Sequence, residues 1–168
     1  MLDGIHKIHL IGIGGSGMRA IANILIQKGY DVSGSDVADS AVIEKFRNMG
    51  ATVHIGHNKD YVKGVDAVVR STAIREDNPE IVAAKEQGIK ILHRSDIVKA
   101  VLDVTDGIAV AGAHGKTSTT SMIGQILVEA EADPTVIIGG EVDYLKGSSC
   151  LGKGHFSVVE ADESDGSF

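Results

Sequence analysis

The chain has no tryptophan, and aromatic residues fill only 4% of its 168 positions. Its core must therefore come from Ile, Val, Leu and Ala, the side chains that suit parallel strands covered on both faces. Cys150 is the single cysteine, which excludes an internal disulfide and makes a reducing compartment the expectation. No uninterrupted apolar run reaches the roughly 18 residues of a membrane span. The start, Met1 to Lys7, lacks the long apolar stretch of a secretory signal, so a cytoplasmic protein is expected. No basic cluster offsets the net charge of −7, which argues against nucleic acid or an anionic membrane as partner. Small phosphorylated molecules stay possible, because local N–H groups rather than overall charge hold them. Nothing in the composition fixes an oligomeric state.

What is present is an alternation of strand and helix patterns. Strands are expected at 8–13, 30–35, 51–55, 66–71 and 89–92. Helices are expected from Met18 to Lys28, from about Ser40 to Asn48, from Pro79 onward, and from an N-cap at Ser95 to about Asp103. Pro79 suits a first helical turn, where its missing N–H costs nothing. Repeated units of this kind predict an α/β fold with a doubly wound, Rossmann-like parallel sheet over residues 1–103. The pattern restarts at Val104, with a strand at 107–110, a helix through 121–128 and further strands at 135–138 and 156–160. Residues 104–168 are too few for the usual five-stranded nucleotide core, so they read as an incomplete P-loop-type α/β domain.

Three motifs carry chemistry. Gly12-Ile13-Gly14-Gly15-Ser16-Gly17 is a G-x-G-x-x-G between a strand and a helix, followed at the expected interval by Asp36. Such a loop lets backbone approach a diphosphate, and the acid can bond a ribose or base. A glycine-rich packing turn is the alternative. Ser71 and Thr72 end the fourth strand on the same carboxyl edge, where ligands of open parallel sheets bind; surface turn residues are the other reading.

The second motif, Gly112-Ala113-His114-Gly115-Lys116-Thr117-Ser118, joins a strand to a helix. It is a shortened phosphate loop: the standard spacing needs glycine at position 110, which is Val110. Backbone N–H groups would face a triphosphate, Lys116 would supply a point charge, and the Thr117 hydroxyl could reach Mg²⁺. His114 lies within the loop and is expected to face ligand, while the other histidines form no metal-ligand spacing with Cys150. The third motif is Glu160-Ala161-Asp162-Glu163-Ser164-Asp165 after an apolar strand. Glu160 is placed where the magnesium partner of the loop hydroxyl belongs; for Glu163 a solvated loop is favoured.

Taken together, His9 to Met18, Gly34-Ser35-Asp36, Ser71 to Ile74, Asn78-Pro79-Glu80, Gly112 to Thr117 and Glu160 to Asp165 resemble the Mur ligase family of peptidoglycan synthesis. The resemblance covers essentially the whole chain. It implies that the first domain holds UDP-N-acetylmuramate through Gly12, Gly14, Gly15, Ser16, Gly17, Met18, Asp36, Ser71 and Thr72. It implies ATP on residues 112–118, Mg²⁺ on Thr117 and Glu160, and Lys116 and His114 as candidate catalytic residues. The implied reaction is ATP-dependent: the sugar carboxylate takes the γ-phosphate, and the amino group of L-alanine displaces phosphate from the acyl phosphate. The family loop usually has Thr at the position of Ala113. Family members run well beyond this length, so the chain is expected to bind the sugar nucleotide without ligating alanine. Rival readings are a ligase adding a tripeptide to the same sugar, a nicotinamide-dependent oxidoreductase, and a non-catalytic nucleotide-binding protein.

Overall fold

The computed structural model of the protein describes residues 2–161, so Asp162, Glu163, Ser164 and Asp165 lie outside the described residues. The chain divides into two compact units, Leu2–Arg94 and the segment from Ser95 onward. The sequence pattern placed the restart after Asp103, nine residues further along.

The first unit is the expected Rossmann-like sheet. Its strands are β1 (Lys7–Ile11), β2 (Asp31–Asp36), β3 (Thr52–Ile55), β4 (Ala67–Arg70) and β5 (Lys90–His93). They lie in the order β3-β2-β1-β4-β5 with every pair parallel. The order reverses between β1 and β4, so the loops leaving these two strands flank the crevice where such sheets take ligands. Helices α1 (Ser16–Gln27), α2 (Ala41–Asn48) and α3 (Pro79–Glu86) connect the strands and pack against β2, β3 and β5 respectively.

Aliphatic side chains supply the core, as the shortage of aromatics requires. Ile8, Leu10 and Ile11 of β1 and Ile21, Ile24 and Leu25 of α1 are completely buried. Each such side chain contributes about 1.5–3 kcal/mol relative to exposure. Local signals set the helix starts. The Ser40 hydroxyl accepts the Ile43 N–H at 3.3 Å, and the Asn78 side chain accepts that of Glu80 at 2.9 Å beside Pro79. Ser95 is not an N-cap: β5 runs straight into α4 (Arg94–Leu102), and Ser95 is buried within it.

The second unit holds β6 (Asp106–Val110), α5 (Lys116–Glu129), β7 (Thr135–Val142), β8 (Gly147–Cys150) and β9 (Phe156–Glu160). The order is β6-β9-β7-β8, parallel except for the antiparallel β7–β8 pair. Helix α5 lies against β6, β7 and β9, so its N-terminus follows the carboxyl end of β6 and neighbours that of β9.

Candidate functional site

The glycine loop after β1 turns sharply at Gly12, whose φ of 73° favours glycine. Its amides, however, are already occupied. Gly12 and Ile13 N–H donate to the Ser35 carbonyl at 2.8 and 3.1 Å, and Gly15 N–H donates to the Gly12 carbonyl at 3.0 Å. Gly14 N–H donates to Asp36 Oδ2 at 2.8 Å. Asp36 therefore braces the loop, a role the motif spacing did not suggest. Donors without a partner among the described residues begin one step later, at the Ser16, Gly17 and Met18 amides of the first turn of α1. The Met18 side chain is buried in the core, so only its backbone faces the loop.

That helix start has a cationic neighbour invisible in the motif. A Cβ on Gly17 would collide with Arg94 Nη1 and stand 2.8 Å from its Cζ. A guanidinium beside a helix N-terminus adds to the positive potential that favours an anion there. Ser71 and Thr72 follow β4 across the crevice; Ser71 is partly buried and its carbonyl accepts the Ile74 N–H, while Thr72 is exposed.

Beneath the loop lies a buried carboxylate. Glu80 is fully buried and accepts hydrogen bonds from Ser35 Oγ at 2.7 Å and Asn58 N–H at 3.2 Å. It also pairs with His9 Nε2 and His57 Nδ1, each at 3.1 Å. Burial pushes its pKa upward and is the largest single influence. The His9 and Ser35 hydrogen bonds, the His9 charge and the His57 hydrogen bond together outweigh it, leaving Glu80 below its ordinary 4.5. A depressed folded pKa means that the stabilisation is complete above the unfolded value and disappears as pH falls through the folded one. Urea unfolding midpoints should therefore drop on acidification below about pH 4.5, and less steeply in Glu80→Gln. Parallel midpoint curves for the two proteins would contradict this.

In the second unit, α5 begins at Lys116, with Gly115 as a left-handed N-cap at φ 77°. Among the described residues the amides from Ala113 to Ser118 have no hydrogen-bond partner. Lys116 Nζ reaches back to the Gly112 carbonyl at 2.7 Å, folding its charge into the loop. The Thr117 hydroxyl lies 2.9 and 3.1 Å from the two oxygens of Glu160, and Gly139 N–H donates to Glu160 Oε2 at 2.6 Å. The start of α5, the end of β9 and the middle of β7 thus meet at one carboxylate. A Cβ on Gly139 would stand 2.9 Å from that oxygen, so a larger residue would push the carboxylate aside. Ala113 and His114 are exposed at the rim. A hydroxyl beside a carboxylate is a hard-oxygen donor pair of the kind magnesium takes. The described residues contain no group of three His, Cys, Asp or Glu able to hold a metal.

A parallel α/β unit with a glycine loop at its switch point, followed by a Gly-Lys-Thr helix start facing a strand-end carboxylate, defines a Rossmann-like α/β protein. The model of the Mur ligase family, catalytic domain, matches residues 7–104, and the chain belongs to that family. A UDP-N-acetylmuramate–L-alanine ligase from Sulfurihydrogenibium sp. is 49% identical over 98% of this chain. The solved UDP-N-acetylmuramate–alanine ligase of Thermotoga maritima superposes with a TM-score of 0.87 at 36% identity, over 94% of this chain and 37% of that one. A UDP-N-acetylmuramate:L-alanyl-γ-D-glutamyl-meso-diaminopimelate ligase from Neisseria meningitides also gives 0.87, at 28% identity over 95% of this chain and 53% of that one. The chain spans 36% of the length of the Sulfurihydrogenibium relative.

Proposed function

We propose that the two units are the sugar-nucleotide and ATP portions of a cytoplasmic, ATP-dependent ligase of peptidoglycan precursor synthesis, one that joins L-alanine to the carboxylate of UDP-N-acetylmuramate. The observation that carries this reading is 49% identity to an enzyme so named, extending through both loops. In the first unit, the diphosphate takes the Ser16, Gly17 and Met18 amides with Arg94 close by, and Ser71 and Thr72 flank the sugar side. Asp36 holds the loop and keeps its remaining lone pairs toward the uridine.

In the second unit, the Ala113 to Ser118 amides cradle the triphosphate and Lys116 turns from the Gly112 carbonyl onto it. Thr117 and Glu160 are the residues that would hold magnesium, whose chemistry there is to offset phosphate charge as the γ-phosphoryl group moves. The reaction brings one anion onto another, so Lys116 and the amide dipoles supply the opposing charge. His114, exposed at the rim, is placed to meet the phosphates or the incoming carboxylate. Among the described residues no helix is long and apolar enough to cross a membrane.

A ligase adding a tripeptide to the same sugar is the second reading, supported by the equal TM-score of the Neisseria enzyme; the higher identity to alanine ligases supports the first. Separate calorimetric titrations of this chain with UDP-N-acetylmuramate, Mg-ATP and NADH test the assignment. The first two should bind, and no alanine-dependent phosphate release should follow. Binding of NADH but not the UDP-sugar would overturn it.

A further inference from the structure

Glu80 belongs to none of the loops that would touch a nucleotide, yet it is the most heavily engaged carboxylate in the first unit. Its partners come from three neighbouring strands or their extensions: His9 on β1, Ser35 on β2, and His57 and Asn58 just after β3. His9 is itself fixed on its other side, Nδ1 standing 2.9 Å from Ser33 Oγ. A buried ionic cluster seldom adds stability over apolar packing of equal volume. What a fully bonded one does is impose a single geometry.

The geometry imposed here leads to the glycine loop. Ser35 gives its hydroxyl to Glu80 and its carbonyl to both Gly12 and Ile13. The next residue, Asp36, takes Gly14 N–H on its carboxylate and Gly56 N–H on its carbonyl, the latter at 2.7 Å. Every inward-facing amide of the loop therefore ends on Ser35, Asp36 or the loop itself. The Ser35 hydroxyl in turn donates to Glu80 at 2.7 Å and stands 3.2 Å from His57 Nδ1, itself a partner of Glu80.

The geometry points to Glu80 as a positioning residue: acting through Ser35, it sets the glycine loop and so aims the Ser16, Gly17 and Met18 amides at a diphosphate-bearing nucleotide. The identity of that nucleotide rests on the reading above, whereas the mechanical link does not. The chemistry demands a carboxylate. Asn58 N–H is an obligatory donor on one oxygen and the Ser35 hydroxyl a donor on the other. A glutamine must present its NH₂ to one of them; facing Ser35, it makes the hydroxyl accept instead of donate. Glu80→Gln is then expected to fold while loosening the hold on Ser35, a neutral hydrogen bond replacing a charge-assisted one.

The test uses the intact chain with two variants, Glu80→Gln and Ser35→Ala, the second deleting only the connecting hydroxyl. Amide hydrogen exchange at Gly12, Ile13 and Gly14 should accelerate about tenfold in both, against little change at Leu92 of β5. The dissociation constant for UDP, used as the probe, should rise about tenfold in each. The double variant should be no worse than Glu80→Gln alone, because both act on one link. Wild-type exchange at the loop in either folded variant would overturn the proposal. So would equal acceleration at Leu92, which would make Glu80 merely structural. If exchange changes as stated but wild type binds neither UDP nor UDP-N-acetylmuramate, the loop link stands and the nucleotide assignment fails.

Discussion

Lys116→Met should weaken Mg-ATP binding to this chain about a hundredfold and leave the fold intact. The ammonium touches one carbonyl of the loop, at 2.7 Å, and its removal leaves that carbonyl facing solvent at a rim whose neighbours are exposed. With triphosphate present, the same group would make charge-assisted hydrogen bonds worth about 1.5–3 kcal/mol. At about 1.4 kcal/mol per decade, the upper end gives a hundredfold. Methionine keeps the stem length without charge, so packing along the helix start is little altered. Isothermal titration with Mg-ATP reads the change, and thermal unfolding without nucleotide controls for the fold. Unchanged affinity would remove Lys116 from the nucleotide site.

Gly17→Val should abolish most UDP-N-acetylmuramate binding, again by about a hundredfold. The new side chain would occupy the place where the Arg94 guanidinium lies across the first turn of α1. Arg94 is the flexible partner and must swing away, so folding survives while the cation is lost from the amide row. Losing one charge-assisted contact costs about 1.5–3 kcal/mol, to which obstruction by the branched side chain adds. Arg94→Ala should give about tenfold, and the pair should be less than additive because both remove the same cation. An additive double variant would show that Gly17→Val acts by a route other than Arg94, and native affinity in Arg94→Ala would show that Arg94 has no part in binding.

Much of the fold could be read in the residues. Strands of β-branched and aliphatic residues alternating with helical spacing gave the parallel sheet of the first unit, and the start of α3 followed from Asn78-Pro79. Other features were hidden for physical reasons. Gly147-Ser148-Ser149-Cys150 carries no apolar alternation, and it becomes β8 only through its antiparallel pairing with β7. Ser95 resembled a cap because serine usually sits outside a helix; here no loop separates β5 from α4. At the candidate site, the spacing of Thr117 and Glu160 foretold their meeting. The spacing of Gly12, Gly14 and Asp36 foretold proximity but not that the acid would bond the loop itself. Arg94 left no local signal, and His9 and Glu80 entered only as residues of the family resemblance, with no role attached. Their neighbours are distant in sequence, and a glutamate in the first helical turn normally reads as a partner of the helix dipole.

The two loops differ in how much of their backbone is already tied down. Residues 12–15 are held at every amide, whereas Ala113 to Ser118 hold none among the described residues. A guest entering the first finds a surface with little motion left to surrender, so its affinity is taxed mainly by stripping water from the partners. A guest entering the second meets the Ala113, His114 and Gly115 amides with no partner among the described residues, and ordering any of those three residues would cost about 1–2 kcal/mol each.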